Sequence, residues 1–174
     1  MKGIGLTDPS VCTRATLATL STIPAALRVP GKQPRIILIS SAGITHESHK
    51  ALPFAWRVLY PWLLANPHAD KLGLERVIAH VTGRTWKDPE PPATSMSRED
   101  WKNTPGLPAV GEFPNVVVLR PAFFSEGKFT GKYKTSHQGL SSHFISRPDV
   151  AHFIVEGVLK NWDEWKGDCA SIGY

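Results

Sequence analysis

Two short runs of consecutive apolar residues mark the strongest predicted strands. The first run is Ile36 to Ile39, which lies between Arg35 and two serines, and the second is Val116 to Leu119. An unbroken apolar run with β-branched residues, bounded by turn signals, predicts a strand that is buried on both faces, as in a parallel sheet. Weaker strand signals lie at residues 2–6 and 169–173.

Apolar residues at helical spacing predict helices around these strands. A helix over residues 9–27 begins after Asp8, a good N-cap, and Pro24 should end or kink it. Its expected buried face consists of Leu17, Leu20 and Leu27. A second apolar stretch, residues 52–64, is predicted to be helical in two pieces around Pro61.

Two later helices have clearer signals. The first spans residues 68–81, and Lys71 and Glu75 lie four residues apart on a face away from its apolar one. The apolar face of this helix is formed by Leu74, Val77, Ile78 and Val81. The second spans residues 146–160, with Ser146 as N-cap and Asp149 in the first turn. The apolar face of the second helix is formed by Val150, Phe153, Ile154 and Val158.

Two segments are predicted to be loops. Residues 82–113 carry the densest proline and glycine, and residues 123–143 come after the second strand. A long loop in a compact domain is usually functional or mobile, so residues 82–113 are interpreted either as a substrate lid or as a surface excursion.

The alternation of helices and buried strands predicts an α/β fold with right-handed crossovers. In such sheets ligands bind beyond the carboxyl ends of the strands, where Ser40 and Ser41 would lie. Alternatively, the two serines simply close the strand and cap the next segment of the chain.

Length and composition narrow the function. The 174 residues fit one domain, 41% of them are hydrophobic, and the net charge is +5 without any basic run, so no nucleic-acid partner is expected. No secretory h-region and no membrane-spanning segment are recognised. Cys12 and Cys169 are far apart, which favours free thiols and a cytoplasmic location. His46 and His49 do not have the spacing of a metal site, and no metal is expected.

Four segments occur in an order that resembles a known superfamily. They are Ile39-Ser-Ser-Ala-Gly43, Asp70-Lys-Leu-Gly-Leu-Glu75, Val118-Leu-Arg-Pro-Ala122 and Ile145-Ser-Arg-Pro-Asp-Val-Ala151. Together they resemble the NmrA-like, NAD(P)H-binding branch of the atypical short-chain dehydrogenases/reductases. The later part resembles fungal members of that branch. The resemblance implies a Rossmann-like parallel sheet with flanking helices and a nicotinamide dinucleotide cofactor.

One departure from the family concerns the phosphate site. Members open with a strand, a G-x-x-G-x-x-G turn and a helix, whose amides hold the pyrophosphate. This sequence lacks that motif, so we expect a single, N-terminally truncated domain, a fragment of the family fold, with weak or no cofactor binding. Residues 2–6 would then be an exposed sheet edge, a natural site for a homodimer.

A second departure concerns proton transfer. Family members pair a Ser with Tyr-x-x-x-Lys, and here Ser41 matches the serine and Lys71 the lysine, giving these two the predicted catalytic roles. Pro67 stands where the tyrosine is expected and cannot transfer a proton. Reduction with little acid-base help from the protein, or sensing of the cofactor alone, remain the two alternatives.

By the same resemblance, several residues would contact the dinucleotide. Gly5 would lie near the adenosine ribose, and Lys71 would hydrogen-bond the nicotinamide ribose. The remaining contacts would be Ser40, Ser41 and Ala42 beneath that ribose, and Pro121, Ala122 and Phe123 near the carboxamide. Arg120 would either serve this site or anchor its strand by an ion pair.

The residues support two functional hypotheses. The first is an NAD(P)-dependent oxidoreductase-like protein that acts on an unidentified small molecule. The second is a non-enzymatic regulatory or interaction protein derived from the same fold. An α/β hydrolase is excluded because the sequence has no G-x-S-x-G elbow.

Overall fold

The computed structural model describes residues 8–51 and 64–174. The bounds of the helices are α1 Val11–Ser21, α2 His46–Ala51, α3 Ala65–Thr82, α4 Arg147–His152 and α5 Trp162–Trp165, with a π-helix at Phe153–Leu159 and 3₁₀ turns at Ala25–Leu27, Ala93–Ser95 and Trp101–Asn103. The bounds of the strands are β1 Ile36–Ile39, β2 Val116–Pro121, β3 Phe123–Ser125, β4 Lys134–Ser136, β5 Phe144–Ser146 and β6 Cys169–Gly173. The predicted strand at residues 2–6, the site residue Gly5 and nearly all of the predicted helical stretch 52–64 lie outside the described residues.

The chain divides into two compact units. One holds the described residues of Met1–Ile36 and Trp62–Val116, and the other those of Ile37–Pro61 and Val117–Tyr174. That residues 1–174 form a single domain stays a prediction.

The first unit is built on helices α1 and α3. The carboxylate of Asp70, in α3, accepts hydrogen bonds from the amides of Cys12 (2.8 Å) and Thr13 (2.9 Å) and so caps the first turn of α1. The four apolar residues predicted for the buried face of α3 are all buried. Glu75 is buried as well, with its carboxylate 3.9 Å from Arg84, and its predicted place away from the apolar face did not indicate this burial.

Helix α1 is shorter than predicted. It ends at Ser21, and Pro24 precedes a separate 3₁₀ turn, as expected of a residue that cannot continue a helix. Leu17 and Leu20 are buried, but Leu27 is 43% exposed because it lies beyond this break, so the predicted three-leucine face is wrong at its last member.

The segment after α3 packs back onto that helix. The Arg76 guanidinium of α3 lies 5.6 Å from the ring of Trp86 and 5.5 Å from that of Trp101. The amide of Phe113 donates to the carbonyl of Val81 at 2.8 Å, and Phe113 is fully buried. Residues 83–113 are therefore anchored to α3. They contain two short 3₁₀ turns, which the sequence did not predict.

The second unit carries a sheet of order β1-β2-β6-β4. The amides of Ser40 and Ala42 donate to the carbonyls of Leu119 and Pro121, a constant offset that makes β1 and β2 parallel. Strands β2 and β6 are also parallel, and β4 runs antiparallel to β6. The predicted strand at 169–173 is confirmed, and all of its residues are buried.

Burial differs between the two predicted strands. All six residues of β2 are buried, whereas β1 is only half-buried and Ile39 is 42% exposed. The prediction that β1 is buried on both faces is wrong because β1 lies at the edge of the sheet formed by the described residues.

Two predicted segments of this unit are more structured than expected. The predicted loop 123–143 contains β3 and β4, and β3 pairs in parallel with β5. The predicted helix 146–160 begins with the expected cap, since the Asp149 amide donates to the Ser146 hydroxyl at 3.2 Å, but it changes to a π-helix at Phe153. Its apolar face joins the core of the unit, which includes Val117, Leu119, Ile145, Phe153, Trp162, Trp165 and Ile172.

Candidate functional site

The carboxyl ends of three parallel strands meet at one edge of the second unit. The Ala42 amide donates to the Pro121 carbonyl at 2.9 Å, and the Ala122 amide donates to the Ile172 carbonyl at 2.9 Å. These bonds place Ser40, Ser41 and Ala42 beside Pro121, Ala122 and Phe123, so the structure brings six of the predicted site residues together. In parallel α/β sheets this edge is where ligands bind.

The six residues differ in accessibility. Ser40, Ala42, Pro121 and Ala122 are buried, whereas Ser41 is half-buried and Phe123 is 48% exposed. Ser41 and Phe123 are therefore the predicted residues with side-chain surface for a ligand, and the other four supply small side chains that let the strand ends pack closely.

Close packing continues at the end of β6. A Cβ atom on Gly173 would lie 2.2 Å from the Ser142 hydroxyl oxygen and 3.2 Å from the Ala122 Cβ. Only glycine fits there. The ends of β2 and β6 and the buried Ser142 are therefore tightly packed at this edge of the sheet. Gly43, directly after Ala42, has a φ of +82°, which turns the chain after the serines in a conformation that glycine adopts without strain.

The predicted catalytic pair is divided between the two units. Ser41 belongs to the second unit, where its hydroxyl lies 3.3 Å from the Ala42 carbonyl, to which it can donate. Lys71 belongs to the first unit, where it is half-buried in α3 next to the capping residue Asp70. Their joint role stays a prediction.

A buried carboxylate organises the neighbouring loop. Asp149 accepts hydrogen bonds from the hydroxyls of Tyr174 (2.6 Å), Ser146 (2.9 Å) and Thr130 (2.9 Å) and from the amides of Thr130 (3.0 Å) and Gly131 (2.8 Å). Burial alone would raise the pKa of Asp149, but these bonds hold it well below its usual value. The sequence placed Asp149 only in a helix first turn and missed this network, since its donors lie up to 25 residues away.

Two histidines of this unit contact aromatic rings. The Tyr133 hydroxyl lies 2.7 Å from His152 Nδ1, and burial, together with Asp149 and Glu156, raises the pKa of Tyr133. His137 stacks on Trp165 with ring centroids 4.1 Å apart. Neither pair was singled out from the sequence.

Two further features concern metal binding and membrane insertion. Within residues 8–51 and 64–174, no three His, Cys, Asp or Glu side chains are grouped so that they could hold a metal ion. In the same ranges, no helix combines the length and the apolar composition needed to cross a membrane.

No protein-family model matches the chain. Reductase pytE from Aspergillus terreus is 28% identical over 180 residues, which cover 97% of this chain and 59% of that relative. The chain therefore spans less than two thirds of the length of this curated relative.

Two solved structures share the fold. An ethylated short-chain dehydrogenase/reductase from Veillonella parvula DSM 2008 superposes with a TM-score of 0.54 at 14% identity, covering 92% of this chain and 56% of that one. A wide-type short-chain dehydrogenase/reductase from the same organism, in complex with NADP, gives 0.53 at 15% identity, covering 97% and 69%. The chain thus has an α/β, Rossmann-like fold of the kind found in short-chain dehydrogenases/reductases.

Proposed function

We propose that this chain is an NAD(P)-dependent reductase-like protein of the atypical, NmrA-like type, which holds the nicotinamide half of the dinucleotide at the carboxyl edge of β1 and β2. The observation that carries the proposal is the parallel register that sets Ser40–Ala42 beside Pro121–Phe123. The NADP complex of a structural neighbour and the reductase name of the curated relative support it.

Ser41 fits such a cofactor, because its short, half-buried side chain allows the ribose to approach the backbone at the end of β1. When bound, the nicotinamide would supply a hydride. In this proposal the Ser41 hydroxyl turns from the Ala42 carbonyl to donate to a substrate carbonyl oxygen. Pro67 offers no proton, so the proton that completes the reduction would come from solvent water, and the protein contributes mainly binding and orientation.

The test is a titration of the 174-residue chain with NADPH and NADH, followed by the amide NMR signals of the protein. Because the sequence has no Gly-rich pyrophosphate loop, we expect weak saturable binding, with a dissociation constant of about 0.1–1 mM. That is a loss of roughly 3–4 kcal/mol relative to a micromolar site. Ser41→Ala should weaken binding further, whereas Ser141→Ala, at an exposed serine of the predicted loop 123–143, should not. Amide signals that stay in place with up to about 5 mM of either cofactor would contradict the proposal.

The second candidate is a non-enzymatic regulatory or interaction protein of the same fold. Pro67 at the position expected for the proton donor favours it. Under this alternative the folded chain binds neither dinucleotide, and Ser41→Ala changes nothing in the titration.

Cellular context is part of the same proposal. Cys12 and Cys169 are free thiols, which supports a reducing, cytoplasmic compartment. A homodimer would form through the sheet edge that the sequence predicts at residues 2–6, which lie outside the described residues. Sedimentation velocity should then show a dimer that Ile4→Lys, in the middle of this predicted edge strand, dissociates and that Val110→Lys, at a 68% exposed valine, does not.

A further inference from the structure

Two half-exposed phenylalanines lie side by side where β2 leads into β3. Phe123 and Phe144 are register partners in the parallel pair β3–β5, and they are 48% and 45% exposed. Their ring centroids are 6.2 Å apart and the ring planes are perpendicular. This is the edge-to-face arrangement that aromatic rings prefer.

Strand alternation explains why both rings point outward. The next pair in the register, Phe124 and Ile145, belongs to the other face of the ribbon, where Ile145 is fully buried and Phe124 packs on the core. The Phe123 amide donates to the His143 carbonyl at 3.2 Å, and the His143 ring stacks on Phe144 with centroids 6.3 Å apart. The aromatic pair is thus held in place by the backbone on both sides.

The place and size of the pair identify its occupant. Phe123 comes directly after Ala122, so the pair continues the candidate cofactor edge, where a substrate would meet the nicotinamide. Two side chains offer contact for one small ring, far less than the roughly 1,000 Å² that a stable protein interface buries. We propose that the Phe123–Phe144 pair is the substrate contact of this site and that it selects carbonyl compounds with a planar aromatic ring. This inference rests on the proposed function.

Ring chemistry provides a discriminating test. A saturated six-membered ring is at least as apolar as a phenyl ring, so simple burial would not favour the aromatic compound. An aromatic ring also interacts with the quadrupoles of the two phenylalanines, a contribution that corresponds to about a 3- to 10-fold gain in affinity. Acetophenone and cyclohexyl methyl ketone have the same carbonyl group and the same carbon count, and they differ in this property.

The experiment is an NMR titration of the 174-residue chain with each ketone. We expect acetophenone to bind about 3- to 10-fold more tightly, and the preference to disappear in Phe144→Leu. Phe129→Leu, at a 55% exposed phenylalanine outside the pair, should keep it. Thermal melts of each variant verify folding. The proposal would be overturned if the parent chain bound acetophenone no more tightly than cyclohexyl methyl ketone. It would also be overturned if Phe144→Leu kept the same ratio of the two affinities.

Two further arms separate this inference from the proposed function. If NADPH fails to bind while the ketone preference depends on Phe144, the aromatic site stands and the dinucleotide function falls. If Phe144→Leu instead dissociates a dimer seen by sedimentation, and neither ketone binds, the pair serves self-association and the inference is overturned.

Discussion

At the scale of single residues, Asp149 is the polar group on which the second unit depends most. It is fully buried, and five hydrogen-bond donors from three segments converge on its carboxylate. A buried carboxylate is tolerated only when hydrogen bonds satisfy it in this way. When the charge is removed, the same buried donors lose their acceptor and lower the stability of the unit.

We expect Asp149→Asn to lower the free energy of unfolding by about 3 kcal/mol, because an amide cannot accept from all five donors and brings two donors of its own. Urea denaturation measures the loss. Asp163→Asn is the matched control: Asp163 is 89% exposed and pairs with Lys166, and its effect should stay below about 0.5 kcal/mol. Similar losses in both variants would contradict the role assigned to Asp149.

At the scale of elements, helix α3 is fitted closely to what surrounds it in the first unit. A Cβ atom at Gly73 would lie 2.4 Å from the Thr13 hydroxyl oxygen, 3.1 Å from the Ser95 carbonyl oxygen and 3.2 Å from the Met96 sulfur. Helix α1 and the 3₁₀ turn at Ala93–Ser95 therefore approach α3 at a position where a side chain is excluded.

Gly73→Ala tests this close approach. In an exposed helix the change would stabilise by about 1 kcal/mol. Here we expect a loss of about 1–3 kcal/mol, because α1 or the 3₁₀ turn must move away. Thermal unfolding measures it, with Asn66→Ala at an exposed position of α3 as the control. A stabilised Gly73→Ala variant would contradict this prediction, because it would show that the neighbouring atoms move away at little cost in free energy.

The segment 83–113 is held by the planar guanidinium of Arg76. Its Nε lies 2.9 Å from both carboxylate oxygens of Glu90, and Trp86 and Trp101 lie on the guanidinium. Lysine keeps the charge but not the planar stacking group. We expect Arg76→Lys to weaken local protection by about 1 kcal/mol, seen as faster hydrogen exchange in residues 86–103. Arg98→Lys, in an exposed pair with Asp100, is the control and should leave the exchange unchanged.

The predictability of the elements depends on their length and on the origin of their contacts. Strand β2 and helix α3 were predicted because each buries a long apolar pattern of its own. Strands β3, β4 and β5 have three residues each and form only through partners elsewhere in the chain. The burial of Glu75 was missed for the same reason, because a sequence pattern records its charge and not the Arg84 guanidinium near it.

The candidate site was predictable to a similar degree. The strand runs indicate which residues lie at the carboxyl edge, and Ser40 to Ala42 and Pro121 to Phe123 do lie together there. Phe144 was not found, since its exposure and its pairing with Phe123 depend on the register of β3 and β5.

At the scale of the whole molecule, one group in each unit makes a distinct contribution to the dependence of stability on pH. Burial, followed by the charges of Arg76 and Lys102, lowers the pKa of His80 in the first unit. The hydrogen bonds that outweigh burial lower the pKa of Asp149 in the second. In both cases the unfolded chain takes up the proton first, so both contributions are complete above the unfolded pKa and are lost as the pH falls through the folded pKa.

We therefore expect stability to decline in two stages, gently below about pH 6.5 from His80 and steeply below about pH 4 from Asp149. Urea denaturation at a series of pH values checks this. His80→Gln should remove only the first stage. The difference between the parent chain and Asp149→Asn should be constant above about pH 5 and shrink toward about pH 2, and a difference independent of pH over this whole range would refute the assignment.

The stack of His137 on Trp165 gives the second unit a built-in optical reporter. Trp165 is 5% exposed, and the imidazole against it has 43% of its side chain exposed to solvent. Unfolding would separate the two rings and expose the buried indole to water, so the emission of Trp165 should move to longer wavelength when the second unit unfolds. The stack therefore offers a label-free optical signal for the unfolding of this unit.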